Sequence, residues 1–180
     1  MPVRIVYESH ATTTDNEAGI ATGWLPGRLS ATGRRQAAEL GGRRRGTGLD
    51  AVCTSDLARA VETARIAFAG AASPVPRQDA RLRECDYGEL NGAPTAVLHP
   101  LRTRHIDRPW PGGGQSYRDV VEATAVFLRD LAAEWDGGQV LLIAHSANRW
   151  SLDCLLAGAR LESVVADPPP WQPGTFYTLP

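Results

Sequence analysis

The sequence predicts an α/β fold built on a largely parallel sheet. Short apolar runs of strand length alternate with segments of helical periodicity. The clearest run, Gln139–Ala144, is continuously apolar, as a strand buried on both faces requires. Turn residues bound these segments. A chain of 180 residues is sized for one domain.

Val3–Glu8 reads as the first strand, followed by a loop through His10. Ser30 is placed to cap a helix over about Ala31–Arg45, with Ala37, Ala38 and Leu40 on its apolar side and Gly46 and Gly48 ending it. Ala51–Thr54 is a second short strand. A helix over about Leu57–Ala69 follows, with Ser55 or Asp56 as its cap. Arg77–Leu90 reads as irregular, and Pro109–Gly114 as a turn-rich break. Ser116 and Asp119 resemble a capping box that opens a strong helix, which Gly137-Gly138 ends. After Gln139–Ala144 a last helix runs from about Asn148 to Leu156. The Pro-rich tail is expected to wrap the surface.

Composition excludes several function classes. The formal net charge is −1, so no global field draws nucleic acid or an anionic membrane. All 19 cationic side chains are Arg. With no Lys there is no Schiff-base lysine and no P-loop lysine. Cys53, Cys85 and Cys154 form neither a CxxC pair nor a disulfide framework, and they read as reduced thiols of a cytoplasmic protein. The sequence offers no signal peptide and no apolar run of membrane-spanning length.

His10 and His145 each fall just past the C-terminal end of an expected strand. That edge of an open α/β sheet is where ligands bind. The two histidines come together if their strands are neighbours. His99 and His105 fit no such pattern and read as loop residues. The Arg43-Arg44-Arg45 run reads as a solvated helix end, favourable to the helix dipole. Trp24, Tyr87, Trp110 and Trp150 read as packing residues, with a pocket wall as the alternative.

Six stretches in order resemble the histidine phosphatase superfamily, whose fold is phosphoglycerate-mutase-like. They are Ser9-His10-Ala11-Thr12-Thr13 with Asn16; Thr22-Gly23-Trp24 with Leu29-Ser30 and Gly33; "TSDLARAVETA" (Thr54–Ala64); "LRECDYGELNG" (Leu82–Gly92); "PGGGQS" (Pro111–Ser116); and "VLLIAHSANR" (Val140–Arg149). The resemblance implies a three-layer α/β/α sandwich, a single domain over 1–180 with a small insertion around 93–114, and phosphoryl transfer through a phosphohistidine. It implies His10 as nucleophile, Glu84 as proton donor, Arg59 and His145 as phosphate ligands, and Asn16 as a neutral donor. Thr22 and Gly23 then meet the substrate beyond the phosphate. No metal and no cofactor are implied, and the expected partner is a small-molecule phosphate ester. The oligomeric state stays open, a homodimer included.

The chain departs from the family pattern in several places. Glu62 stands for Gln, Gln115 for Glu, Ser146-Ala147 for Gly-Gly, and Ser9 for the Arg that precedes the nucleophilic histidine. Ser9 brings a hydroxyl where the family brings a charged bidentate fork. A charge-assisted hydrogen bond contributes about 1.5–3 kcal/mol. Its loss therefore lowers rate by roughly 10- to 100-fold or more unless something compensates. Arg28, which stands where Pro is usual, and Arg149, four residues past His145, are the candidate replacements. A substrate with less charge near the phosphate is a second explanation. The readings left are a phosphomonoester hydrolase, a catalytically impaired phospholigand-binding protein, and a phosphoglycerate-type mutase.

Overall fold

The computed structural model describes residues 1–70 and 74–180. In chain order the strands are β1 (Val3–Ser9), β2 (Ala51–Thr54), β3 (Arg77–Gln78), β4 (Gln139–Ala144) and β5 (Thr175–Leu179). The helices are α1 (Thr14–Glu17), α2 (Ala31–Arg44), α3 (Ala58–Ala67), α4 (Thr95–Leu98), α5 (Tyr117–Glu134), α6 (Ser146–Ala157) and α7 (Leu161–Ala166). The sheet order is β3-β2-β4-β1-β5. All pairings are parallel except that of β5, which runs antiparallel along the outer side of β1.

Burial explains the layers. On one face of the sheet Val6, Val52, Leu141 and Ile143 pack with Leu40 of α2 and Ala64 and Ala67 of α3. On the other, Ile5, Tyr7, Cys53 and Leu142 pack with Phe127, Leu128 and Leu131 of α5 and Leu152 of α6. β4 lies between β1 and β2, so its side chains are covered on both faces, as its continuous apolar run requires. Among the described residues no helix is long and apolar enough to cross a membrane.

The expected caps are present at two helices. Ser30 Oγ accepts from Gly33 N at 3.1 Å at the start of α2, and Ser116 and Asp119 form a reciprocal capping box at α5. α3 differs, since Leu57 occupies its cap position without a side-chain bond. The Pro-rich tail does not only wrap the surface, because it ends in β5. The stretch read as irregular contains β3 and two short 3-10 turns. Residues 93–114 carry α4 and a 3-10 turn over His99–His105. They build a satellite core in which Leu98, Ile106 and Trp110 meet Tyr117 of α5, Trp150 of α6 and Val165 of α7. His105 stacks on Trp110 with ring centroids 3.9 Å apart, so it packs rather than floats in a loop.

Candidate active site

β1 and β4 are neighbours in parallel register, with Ser9 opposite Ala144, so the next residues, His10 and His145, emerge side by side. Their ring centroids are 5.0 Å apart. His10 Nδ1 lies 2.8 Å from Ala11 O. A carbonyl oxygen only accepts, so Nδ1 carries the proton and Nε2 keeps a lone pair. Arg59 Nε donates toward that Nε2 at 3.3 Å. Burial, and then the Arg59 charge, hold the His10 pKa down to about 3. The imidazole is therefore neutral at neutral pH.

His145 is fully buried. Its Nε2 lies 2.6 Å from Ser55 Oγ, and Leu57 N donates to that same oxygen. That hydroxyl has no other acceptor among the described residues, so we assign its hydrogen to Nε2 and the His145 proton to Nδ1. Nδ1 is buried without a partner. Tyr7 Oη donates to His145 O at 2.7 Å, and His145 N donates to Asn148 Oδ1, so the backbone on both sides of the ring is pinned. Burial is the main reason that the His145 pKa lies well below the ordinary value, with Arg59 and His10 adding to it.

Arg59 projects from α3 into the interior and is 3 % exposed. Its Nη2 donates to Gly23 O at 2.8 Å and its Nη1 to Leu25 O at 3.3 Å. The loop that receives it requires glycine: Gly23 has φ +54°, and a Cβ there would meet Asn91 Oδ1 at 1.8 Å. Thr22 Oγ1 donates to Asp15 Oδ2 at 2.8 Å. Asn16 Oδ1 accepts from Thr13 N while Thr13 Oγ1 accepts from Asn16 N, so the Asn16 amide group is free to donate elsewhere. Glu84 Oε1 accepts from Cys85 N at 2.8 Å and from Ala147 N at 3.3 Å, leaving Oε2 for a proton. Burial raises the Glu84 pKa, and the backbone amides of Cys85, Ala147 and Ser146, together with Arg59, limit that rise.

A cavity of about 180 Å³ brings together His10, Asn16, Thr22, Gly23, Arg59 and Glu84. Tyr87, His99, Arg102, Tyr117 and Trp150 complete its wall. A second cavity of about 290 Å³ opens beside Ser9 and shares His10, Asn16 and Ser146 with the first.

Neither candidate replacement for the missing Arg lines either cavity. Arg28 is exposed between buried Gly27 and Leu29, and its carbonyl accepts from Thr14 N. Arg149 lies on the tail side of α6. Its Nη1 donates to Pro170 O at 2.9 Å, and its Nε is 3.9 Å from Asp153. The arginine run is not a solvated end either, since Arg43 and Arg44 both clamp the buried Glu8. Trp110 is core, Trp150 and Tyr87 are wall, and Trp24 donates from Nε1 to Glu84 O at 2.7 Å.

Sequence reading missed Ser55, Tyr7, His99 and Arg102. Ser55 stood inside a matched stretch, but only the fold shows its hydroxyl on His145. Arg102 lies in the insertion, with its Nε buried and unpartnered at the cavity and its guanidinium 5.9 Å from the Trp150 ring centre. No local pattern marks it.

Two histidines, a buried guanidinium and a buried carboxyl group with a raised pKa gather at the C-terminal edge of the sheet, a set of groups suited to binding a phosphate. The chain belongs to the histidine phosphatase superfamily (branch 1), whose family model matches residues 9–166. A phosphoglycerate mutase of Candida albicans is 38% identical over 81% of this chain and 73% of its own. A glucosyl-3-phosphoglycerate phosphatase of Mycobacterium tuberculosis is 33% identical over 92% of this chain and 78% of its own. Among solved structures, Bacillus stearothermophilus YhfR superposes with a TM-score of 0.83 at 26% identity, over 97% of this chain and 90% of that one. The mycobacterial glucosyl-3-phosphoglycerate phosphatase in complex with VO3 superposes with a TM-score of 0.76 at 29% identity, over 91% and 86%.

Proposed function

We propose that the chain is a phosphoric monoester hydrolase that works through a phosphohistidine on His10 and acts on a small phosphorylated metabolite. The observation that carries this reading is the unprotonated Nε2 of a neutral His10 at a cavity that Arg59 and Glu84 also line, with the His145 ring centroid 5.0 Å away. His10 Nε2 attacks phosphorus, and Nδ1–H on Ala11 O steadies the charge that develops on the ring. Arg59, His145 Nδ1–H and the Asn16 amide hold the equatorial oxygens, where transition-state charge is spread. Glu84 keeps its proton above the usual carboxylate range and delivers it to the leaving oxygen. The carboxylate so formed then takes a proton from the attacking water.

The test is phosphate release from a panel of phosphomonoesters, wild type beside His10→Ala, with trapping of labelled phosphate on the protein. Turnover and label are expected in the wild type and in neither case with the variant. Saturable binding without turnover in both would make the chain a phospholigand-binding protein instead. The identity to a phosphoglycerate mutase supports a mutase as a second reading. A phosphohistidine on His10 would face two cavities, whereas a mutase must keep water away from it. Exchange between 2- and 3-phosphoglycerate without phosphate release separates the two.

A further inference from the structure

We propose that the cavity beside Ser9 seats a neutral polyhydroxylated substituent carried on a non-leaving oxygen, so that His10 cleaves phosphodiesters of polyols. This rests on the reading of His10 as nucleophile and Glu84 as acid, and goes beyond hydrolysis of monoesters.

His10, Asn16 and Ser146 line both cavities, so phosphorus bound at His10 lies where the cavities meet. Glu84 lines only the smaller one, which is therefore where the leaving oxygen must point. A group in the larger cavity cannot be the leaving group. It rides on one of the other phosphate oxygens, which makes the substrate a diester. Ser9 supplies the room, because its side chain ends at a hydroxyl 3.3 Å from Tyr7 Oη.

Charge agrees with position. A diester phosphate carries one negative charge where a monoester carries close to two. Arg59 is the guanidinium in contact with His10, Arg102 lines the smaller cavity on the leaving-group side, and Ser9 adds no guanidinium where the two cavities meet. The larger cavity itself is close to electrically balanced. Its buried carboxylate, Glu8, is held by Arg44 at 2.8 Å and Arg43 at 3.4 Å, and Glu39 stands one helical turn from Arg43. A second anion would meet two carboxylates there. The groups that remain suit hydroxyls: Gln36 accepts from Thr12 N through Oε1 and keeps its amide hydrogens to donate, while Glu39 accepts. Trp171, 66% exposed at the rim, offers a flat apolar face to the C–H side of a polyol.

The step balances without a co-reactant other than water. The bond from His10 Nε2 to phosphorus forms as the bond to the leaving oxygen breaks, and that oxygen takes the Glu84 proton. Water then adds its oxygen to phosphorus and its proton to Glu84, and the electron pair returns to Nε2. The products are a free alcohol and a polyol monophosphate.

Three probes with one leaving group test this: glyceryl 4-nitrophenyl phosphate, methyl 4-nitrophenyl phosphate and 4-nitrophenyl phosphate. The wild type is expected to cleave the glyceryl diester with a kcat/KM about tenfold above the methyl diester, a ratio that one or two hydrogen bonds supply. 4-Nitrophenol leaves first and glycerol phosphate follows when water cleaves the phosphohistidine, and His10→Ala cleaves none of the three. Ser9→Arg, which fills the cavity and adds a charge, is expected to shift preference from glyceryl diester to monoester by tenfold or more. Because that variant reaches into the interior, Glu39→Ala and Trp171→Ala, both at exposed positions, give a second readout, a fall in the glyceryl-to-methyl ratio. Cleavage of the monoester alone overturns the diester proposal and leaves the phosphatase reading standing. Equal rates on the two diesters overturn the polyol subsite. No cleavage of any probe overturns both readings.

Discussion

Ser55 contributes one hydroxyl to the site, and it decides which nitrogen of His145 can serve. With Ser55 donating to Nε2, the hydrogen on the unpartnered Nδ1 is the one that the proposed mechanism offers to the phosphate. Ser55→Ala removes that constraint and leaves a buried ring nitrogen unpaired, which costs about 1–3 kcal/mol. We expect kcat to fall about tenfold or more, with a smaller change in KM, because the donor matters most as charge builds in the transition state. The imidazole 15N shifts of His145 should move from one fixed tautomer toward a mixture. A merely structural serine would leave those shifts in place while lowering the melting temperature.

At the scale of elements, the His10 loop is clamped by the helix that follows it. Thr12 O accepts from Ser30 N, Thr12 N donates to Gln36 Oε1, and Ala11 N donates to Thr63 Oγ1 of α3. Gly33 lets α2 come this close, since a Cβ there would sit 1.9 Å from Thr12 O. Gly33→Ala cannot be relieved by a side-chain rotation because the obstacle is backbone. It is expected to destabilise by about 1–3 kcal/mol, read by urea denaturation, and to depress kcat through displacement of His10. Here sequence and structure part in an instructive way. β1, β2, β4, α2 and α5 were legible because each has an apolar run bounded by turn residues or a side-chain cap. β5 was not: it is an edge strand of alternating exposure, with Phe176 71% exposed, that follows a Pro-rich run. α4 and α7 are too short for periodicity to declare them. His10, Arg59, Glu84 and His145 were legible through their matched stretches; the first three line one cavity, and the buried His145 packs beside His10. Arg102 and Ser55 act through spatial neighbours far away in sequence, and Arg28 and Arg149 misled because sequence offset does not fix the direction of a side chain.

For the whole molecule, the buried histidines tie stability to pH. Unfolded, His10 takes up a proton near the ordinary 6.5; folded, only near about 3. Between those values the unfolded state binds more protons, so stability is present above about pH 6.5 and is lost as pH falls toward 3. His145 acts in the same direction. Glu84 opposes it in a window just above 4.5, where the folded carboxyl still holds its proton. Chemical denaturation at stepped pH should therefore show a steady decline below neutrality, and His10→Asn should flatten it.

The placement of β4 between β1 and β2 has a consequence for how the chain is made. His10 leaves the ribosome early and His145 late, and the strand that joins their neighbourhoods must slot into the middle of the sheet rather than add to its edge. No shorter nascent chain can pair the two rings. Pairing strands so distant in sequence is also the slow part of reaching a native topology. Catalytic competence thus arrives with the completed sheet and not before, so regained turnover times the final assembly of the whole domain.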